Sequence, residues 1–418
     1  MGAGSRYSEI FSLFSHLAYY INIPAHRNAP LLTAPTHDKR WPVMVFSHGL
    51  AGSRNMYSHI CGSLSSHGLV VIAMDHRDGS SPIQYVRATD KTESQIIDVV
   101  KMPHTPSPEV YEGRDKQLRI RMWELGLAHS AVIGMDKGEK LENLDENTSY
   151  DKKERTDVLA RFANSLDVHE PGRITFAGHS FGAATTVQFS KSVFYAKEKP
   201  KDVKPLFAPE PGSPISRQIT SSTPVALLDL WCLPLRSPGQ DWLWRRPMPS
   251  FTSGGQGGKS IVSILSQGFY NWTGNFNDAK RATAPPRDYH GPNPNPYLFY
   301  PKGSQHFSQS DFGILFPLVT SRFLKAMEPE RVLKLNMRAV LQMLRENDVE
   351  VANTSTEDRE VGEEEDTKDD KAILEDQGVR GWVYISSTDK LANGGISVDK
   401  DQKRSPSDVL SSGGKLEL

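Results

Sequence analysis

The residues with the clearest chemical potential lie in the segment Gly178-His179-Ser180-Phe181-Gly182. This is a G-x-S-x-G pattern, in which a strand turns sharply into a helix and the serine occupies the strained turn. The residues before it (174–177) suit a buried strand, and the helix after it opens on small residues. A Cβ at Gly178 or Gly182 would collide across such a turn. The pattern predicts a Ser180 hydroxyl exposed beside a helix N-terminus, a position that favours acyl transfer to the serine.

A serine nucleophile needs a base and a carboxylate that orients the base. Asp229 ends the apolar segment 223–229, and an aspartate at the carboxyl end of a parallel strand lies where α/β sheets place their sites. His306 lies in the loop that follows the apolar segment 296–300. The order serine, aspartate, histidine along the chain is that of the α/β-hydrolase fold. The carboxylate has three alternatives, Asp241, Asp278 and Asp288, and the base has one, His290. Each of these residues lies in a loop with no buried strand before it.

The tetrahedral intermediate of acyl transfer also needs hydrogen-bond donors for its oxyanion. Residues 41–47 form an apolar strand that runs into a His-Gly-Leu segment, where this fold builds half of its oxyanion hole. We expect the donors to be the backbone N–H groups of Leu50 and Phe181. The alternative interpretation is that His48-Gly49 only forms a turn and contributes no oxyanion donor. Two further histidines are expected to support packing rather than catalysis: His48 and His179.

The elements around these residues alternate as an α/β protein requires. A helix over 57–67 and a strand over 68–74 are predicted after the first strand, a spacing typical of a right-handed crossover in a parallel sheet. Further helices are predicted over 114–134, 155–166 and 329–347. The sequence therefore predicts an α/β-hydrolase fold, with a mostly parallel central sheet and helices on both faces.

Composition excludes several classes of protein. The chain has 418 residues and a net charge of −1, which gives no reason to expect nucleic acid as a partner. Its two cysteines, Cys61 and Cys232, suggest no disulfide framework and no metal pattern, and they fit a reducing compartment. Because neither a signal peptide nor a membrane-spanning stretch is visible, a cytoplasmic location is expected for the sequence as it stands. A nucleophile activated by a side-chain base needs no metal, and no cofactor is predicted.

The domain organisation is predicted from changes in composition. Residues 1–352 are assigned to the α/β domain, with a Pro- and Gly-rich loop insertion over 236–260. This insertion holds Trp242 and Trp244, and a rim that touches lipid is its alternative interpretation. Residues 353–418 are acidic and poor in apolar side chains, so they are predicted to form a disordered C-terminal tail.

Residues 9–21 are predicted to form an amphipathic helix near the start of the chain. One face carries apolar residues at helical spacing, namely Ile10, Phe14, Leu17 and Ile21. Two interpretations remain open for this face. It packs on the domain, or it docks on a lipid surface, because the helix is rich in aromatic residues and short of charge.

Five segments together resemble the platelet-activating factor acetylhydrolase family of the plasma, lipoprotein-associated type, which are Ca²⁺-independent phospholipases A2. The segments are residues 43–50, 66–80, 178–185, 227–231 and 303–307. The resemblance covers roughly residues 8–348 and implies a serine esterase that hydrolyses the sn-2 acetyl or short acyl ester of a glycerophosphocholine. It implies a catalytic triad of Ser180, Asp229 and His306, and oxyanion donors at Leu50 and Phe181. It also matches the helix over 9–21 to the region that family members use to sit on lipid.

The chain departs from this family at its start. Family members usually carry leading antiparallel strands before the region equivalent to residue 8, so we expect these strands to be missing and one edge of the sheet to be uncovered. Two other functions remain open: an esterase acting on a soluble carboxylester or a polyester, and a truncated, inactive binding protein. Acyl-chain preference and oligomeric state are not predicted.

Overall fold

The computed structural model describes residues 22–146, 151–359, 370–375 and 378–386. Residues 30–389 form one compact unit, to which the elements below belong. The strands are β1 (Trp41–Ser47), β2 (Val70–Ala73), β3 (Ile83–Val86), β4 (Gln95–Asp98), β5 (Leu166–Asp167), β6 (Thr175–His179), β7 (Val225–Leu228), β8 (Ile261–Ile264), β9 (Tyr297–Pro301) and β10 (Trp382–Tyr384). The helices are α1 (Ser58–Ser66), α2 (Pro108–Asp136), α3 (Lys152–Ala160), α4 (Phe181–Phe194), α5 (Pro214–Gln218), α6 (Asp241–Trp244), α7 (Gln267–Asn271), α8 (Thr273–Thr283), α9 (Phe312–Leu315), α10 (Pro317–Leu324), α11 (Pro329–Glu346) and α12 (Ala372–Glu375).

The central sheet has the strand order β10-β9-β8-β7-β6-β1-β2, with β5 also paired to β1. Neighbouring strands are parallel except β9 and β10, which are antiparallel. The register aligns Ser47 with Gly178, His179 with Leu228, and Leu228 with Ile264. The carboxyl ends of β1, β6, β7 and β8 therefore lie side by side. The segments that follow these strands meet at one edge of the sheet, as the sequence predicts.

Helices cover both faces of the sheet, which confirms the predicted α/β fold. Alternate side chains of β1 point to opposite faces, so Val43 and Val45 join one core and Met44 and Phe46 join the other. On the first face lie apolar residues of α2 and α4, namely Leu118, Met122, Leu125, Val187 and Phe189. On the second lie those of α1 and α11, namely Ile60, Leu64, Leu335, Val340 and Leu341. These two cores hold the sheet edge in place.

The prediction of a disordered tail over 353–418 is wrong for part of that range. Asp370 is buried and accepts hydrogen bonds from Arg338 Nε and Nη2 at 2.7 and 3.0 Å. Strand β10 extends the sheet beyond β9, and the buried Trp382 ring stacks on Phe299 with centroids 5.0 Å apart. The short apolar runs of α12 and β10 are enough to anchor this part of the tail, because β9 would otherwise be an unpaired edge of the sheet. Averaging composition over the whole tail hides these runs. The tail residues 360–369, 376–377 and 387–418 lie outside the described residues.

The segment 236–260, predicted as a loop insertion, packs into the core. It contains α6 and short 3₁₀ turns, and its Trp244, Met248 and Phe251 side chains are buried against the first face of the sheet. Strand β8 follows it directly and is absent from the sequence prediction, although its run Ile-Val-Ser-Ile is apolar. The predicted helix over 155–166 ends at Ala160, and residues 166–167 instead pair with β1.

The two edges of the sheet differ. Strand β10 lies at one edge, and β2, which pairs only with β1 within the described ranges, lies at the other. The predicted helix over 9–21 lies outside the described residues. No helix in the described part of the chain is both long and apolar enough to cross a membrane.

Replacing Trp382 tests whether β10 is part of the folded domain. Trp382→Ala should lower the free energy of unfolding by about 3–5 kcal/mol, because a buried aromatic ring leaves a cavity against Phe299. Urea unfolding monitored by far-UV circular dichroism measures this loss. Lys371→Ala, at an exposed position of the same region, is the matched control and should change little. Equal stability of the two variants would restore the disordered-tail interpretation.

Candidate active site

Ser180 occupies the turn between β6 and α4, in the left-handed region of backbone conformation with φ 56° and ψ −114°. Its N–H donates to Leu228 O at 2.8 Å, and its carbonyl accepts from Trp231 N–H at 3.4 Å. These bonds tie the elbow to the end of β7. Ser180 is only 4% exposed, so the prediction of an exposed hydroxyl is wrong. The segments after β1 and β7 cover it.

The two elbow glycines are required by contacts with different parts of the backbone. A Cβ at Gly178 would lie 2.4 Å from the Gly182 carbonyl group, the collision across the turn that the sequence predicts. A Cβ at Gly182 would instead lie 1.9 Å from Ser47 O and 2.8 Å from His48 O. Gly182 is therefore required because α4 begins in direct contact with the end of β1. This close approach brings the loop after β1 to the serine.

Asp229 and His306 form the acid–base pair of the site. His306 Nδ1 is hydrogen-bonded to Asp229 Oδ2 at 2.8 Å, and Ser266 N–H donates to Asp229 Oδ1. The Asp229 carboxylate is fully buried, and the backbone of this residue has a positive φ of 46°. Phe269 stacks on the His306 ring with centroids 4.5 Å apart and planes 11° apart. The imidazole is thus held at one nitrogen and over one face.

Ser180 Oγ makes no hydrogen bond to His306 among the described contacts, although both residues lie at the same sheet edge. Catalytic hydrogen bonds are often long in the absence of substrate and tighten when the reacting complex forms. The alternative carboxylates and base lie elsewhere. Asp241 pairs with Arg245, and Asp278 pairs with Arg236. Asp288 and His290 are exposed. The structure brings none of these four into the site.

The two expected oxyanion donors are available for a ligand. Neither the Leu50 N–H nor the Phe181 N–H donates to a protein acceptor within the described structure. Their position is fixed by contact, since a Cβ at Gly49 would lie 3.1 Å from Ser180 Cβ. Phe181 is the residue directly after the serine and the first residue of α4, where helix N–H groups lack intrahelical partners.

His179 links the elbow to the acid–base pair. Its Nδ1 is hydrogen-bonded to Tyr57 Oη at 2.8 Å, and its Nε2 lies 4.0 Å from Asp229 Oδ2. Its ring centroid is 4.4 Å from that of His306. Burial, with His306 and His48 nearby, holds the pKa of His179 well below its ordinary value. The neutral ring therefore packs against the pair without adding a charge.

His179 and the acid–base pair also lie close enough together to be compared with a metal site. Ligand atoms of His179, Asp229 and His306 lie within 4.8 Å of one another. One of the contacts is the 2.8 Å hydrogen bond between His306 and Asp229, whose proton a metal ion would have to displace. All three side chains are buried. The arrangement fits an oriented base better than a metal centre.

Sequence reasoning missed a buried polar cluster behind the loop after β1. Helix α2 buries Arg121 and Glu124 on the face that also carries Leu118, Met122 and Leu125. Partners of Arg121 and Glu124 come from residues 76–80, part of the resemblance segment 66–80, and Arg121 also donates to His48 O after β1. Charged residues in a helix are normally read as solvated. The signal that could have found the cluster is the spacing of Arg121 and Glu124, which follows that of the apolar residues.

Burial sets the charge state of this cluster. It lowers the pKa of His48 to about 3, with Arg121 adding to the effect, and lowers that of His76 well below its ordinary value. Burial also raises the pKa of Glu124 to about 7, and Glu124 Oε2 lies 2.8 Å from His76 Nδ1. The histidines behind the site are therefore neutral, and Arg121 is the positive charge of the cluster.

Comparison with known proteins places the chain among ester hydrolases. The family model described as "Platelet-activating factor acetylhydrolase, isoform II" matches residues 5–367. A Schizosaccharomyces pombe protein described as "Putative phospholipase A2" is 30% identical over 342 residues, which are 76% of this chain and 70% of that protein. A Cavia porcellus platelet-activating factor acetylhydrolase is 34% identical over 194 residues, 45% of this chain and 39% of that protein. A solved ferulic acid esterase from Streptomyces cinnamoneus has a TM-score of 0.37 at 15% identity, covering 74% of this chain and 67% of that one.

A serine on a strained elbow, at the same sheet edge as a histidine held by a buried carboxylate, is an arrangement suited to acyl transfer from esters. Together with the sheet order and the family match, it defines this protein as a carboxylic ester hydrolase of the α/β-hydrolase class. Within that class, the chain belongs to the platelet-activating factor acetylhydrolase, isoform II, family, whose model covers most of its length.

The close approach at Gly182 yields a direct test of the elbow geometry. Gly182→Ala should abolish labelling by a fluorophosphonate probe and lower the melting temperature, because the added methyl group would overlap Ser47 O. Gly274→Ala is the matched control, since Gly274 lies in helix α8 with nothing within 4 Å of its added Cβ. The control should be neutral or slightly stabilising, by up to about 1 kcal/mol. Normal labelling of Gly182→Ala would contradict the described contact.

Proposed function

We propose that this protein hydrolyses the sn-2 acetyl or short acyl ester of glycerophosphocholines of the platelet-activating factor type. The observation that carries the proposal is the buried hydrogen bond between Asp229 and His306 at the sheet edge where the elbow places Ser180. The family match and the names of the relatives supply the substrate class.

In the acylation step, Ser180 Oγ attacks the ester carbonyl carbon while His306 Nε2 takes the hydroxyl proton. Asp229 keeps the proton of the imidazole on Nδ1 and stabilises the imidazolium that forms. The negative charge that develops on the carbonyl oxygen is bound by the N–H groups of Leu50 and Phe181. His306 then gives its proton to the leaving sn-2 oxygen, so the lysophospholipid departs and an acyl-Ser180 ester remains.

Deacylation repeats the cycle with water. His306 removes a proton from the water, whose oxygen attacks the acyl carbon, and the oxyanion is again bound by the two N–H groups. Collapse of this intermediate breaks the acyl–Oγ bond, returns the proton to Ser180 and releases the carboxylic acid. Each proton that His306 takes is given back within the same half-reaction.

Substitutions in the triad test both the reaction and the substrate. Ser180→Ala should remove probe labelling and most activity, and Asp229→Asn should lower kcat by roughly 10³- to 10⁵-fold, as in other triads. Asp278→Asn is the matched control, because Asp278 pairs with Arg236 outside the site. Hydrolysis of a 2-acetyl glycerophosphocholine and of 4-nitrophenyl acetate measures these effects.

The outcomes separate the candidate functions. Faster turnover of the phosphocholine ester than of the aryl ester supports the proposal, since both carry the same acyl group. A preference for the aryl ester points instead to a non-phospholipid esterase. Wild-type protein that neither reacts with the probe nor hydrolyses either ester would point to an inactive binding protein. Near-normal turnover in Asp229→Asn would show that another carboxylate orients the base.

We further propose that the protein reaches its substrate by docking on the surface of lipid aggregates. Helices α9 and α10 follow the His306 turn, and Leu318, Phe323 and Met327 are 82%, 66% and 61% exposed. Phe307, Phe312 and Phe316 connect this segment to the His306 turn through ring contacts of 5.1–5.2 Å. Exposed apolar side chains beside a site for a lipid ester suit a headgroup boundary. The docking role expected for residues 9–21 remains a prediction.

A pair of exposed leucines tests the docking proposal. Leu318→Ser should weaken sedimentation with phosphatidylcholine vesicles and spare hydrolysis of a soluble acetyl ester, because it removes apolar surface without touching the core. Leu32→Ser is the matched control, because Leu32 is also highly exposed, at 74%. Its carbonyl accepts a hydrogen bond from Trp41 Nε1 at the amino end of β1, so it lies at the opposite end of the strands from the site. Equal vesicle binding by both variants would contradict docking through this segment.

A further inference from the structure

The peptide group between His48 and Gly49 is held at both ends by buried side chains. Its carbonyl accepts a hydrogen bond from Arg121 Nη1 at 2.8 Å. Its N–H donates to Tyr57 Oη at 3.0 Å. Arg121 comes from α2 and Tyr57 from the residue before α1, so two separate elements fix one peptide plane. This plane directly precedes the peptide whose N–H belongs to Leu50.

The groups that follow are also fixed. Gly49 O accepts from Gly52 N–H at 3.1 Å, and Ala51 N–H donates to Ser80 O at 2.8 Å. The Leu50 N–H lies between these bonds and makes none itself within the described structure. A donor whose neighbours are fixed and which has no partner of its own is preorganised, since it need not reorient when charge develops near it.

The orientation of the Arg121 side chain is fixed by its other contacts. The side chain is fully buried, with Nε donating to Asp78 Oδ2 at 2.6 Å and Nη2 donating to Ser80 Oγ at 2.6 Å. Burial raises the pKa of Asp78, but Arg121 and Ser80 outweigh it and lower the pKa overall. A buried ion pair is weak evidence for stability, because desolvation offsets much of its attraction. The fixed direction of the guanidinium is what it contributes here.

The same guanidinium contacts the side chain of Phe181, the residue that carries the second proposed oxyanion donor. Arg121 Cζ lies 4.3 Å from the centroid of the Phe181 ring, which is fully buried. The Phe181 N–H is the donor on the elbow side, whereas the Leu50 N–H is the donor on the loop side. One planar cation therefore contacts both the loop after β1, at His48 O, and the elbow, at the Phe181 ring.

Tyr57 plays the corresponding part on the other side of the peptide. Its oxygen accepts from Gly49 N–H and is also hydrogen-bonded to His179 Nδ1, 2.8 Å away. The hydroxyl is buried and lies at the same sheet edge as the acid–base pair. Removing only this oxygen would release the Gly49 N–H and leave the aromatic ring to fill the same space.

From this geometry we propose that Arg121 and Tyr57 are positioning residues that fix the Leu50 N–H for the reaction by clamping the His48–Gly49 peptide. The inference rests on the ester hydrolysis proposed above. Neither side chain touches the substrate. Both act through the backbone, and their effect should be largest where charge on the carbonyl oxygen is largest.

Tyr57→Phe is the principal variant, because it removes one hydroxyl and preserves the core. A second variant, Arg121→Met with Asp78→Asn, removes both charges and leaves no unpaired buried carboxylate. Arg119→Met, at an exposed position of the same helix, is the matched control. The substrates are 4-nitrophenyl acetate and its thiono analogue, whose C=S sulfur accepts hydrogen bonds weakly and so gains less from the oxyanion donors.

For Tyr57→Phe we expect kcat on the oxygen ester to fall roughly 10- to 100-fold with little change in KM, since misplacing an oxyanion donor raises the barrier without altering binding. The thiono ester should be slowed much less, so the preference for the oxygen ester should shrink. The charge-free double variant should show the same shrinkage. Arg119→Met should match the wild type in both rates.

Parallel slowing of both esters, or a lower melting temperature with an unchanged oxygen-to-sulfur preference, would show a merely structural role and overturn the clamp. Unchanged rates on both esters would overturn it as well. Wild-type protein that hydrolyses neither ester would overturn the proposed function, and the clamp with it. Active wild-type protein with unaffected variants would overturn the clamp alone.

Discussion

The site depends on a contact that a side chain at Gly182 would prevent. Because Gly182 has no Cβ, the start of α4 meets the backbone at the end of β1, with 1.9 Å between Ser47 O and the position that a Cβ would take. This contact brings the loop after β1, which carries the Leu50 N–H, against the elbow, which carries the Phe181 N–H, the two donors proposed for the oxyanion. Separating β1 from α4 by the width of a methyl group would move one donor relative to the other. The chemistry proposed for the site therefore begins with backbone packing.

The second constraint is that charged groups buried around the site must be paired or neutralised. The Asp229 carboxylate is fully buried and has two hydrogen-bond partners, while His48, His76 and His179 are kept neutral by burial. A charged histidine in any of these places would compete with the imidazolium that forms on His306 during the reaction. The permanent positive charge of Arg121 is balanced by Asp78 and directed at a carbonyl group. These buried histidines therefore add no positive charge that would oppose the imidazolium proposed for His306.

Sequence reasoning singled out the candidate catalytic residues because each belongs to a local pattern. The elbow, the strand that ends at Asp229 and the strand before His306 are short segments whose spacing follows from the geometry of a parallel sheet. It failed where the decisive information was distant. Arg121 looks solvated until its partners 43 and 73 residues away are known, and Trp382 looks like part of an acidic tail until β9 is placed beside it. The exact reason for Gly182 also depended on a neighbouring strand, which no pentapeptide pattern contains.

The pairing of β9 with β10 has a consequence for the order in which the chain is made. Strand β9 ends at Pro301, and its antiparallel partner begins at Trp382, after α9 to α12 have been added. During synthesis, β9, the strand that precedes His306, therefore has no partner on its outer side until β10 has been made. An open edge can pair with other chains, so this interval is when the nascent protein is most prone to aggregate. Late closure also joins segments distant along the chain, which slows the step.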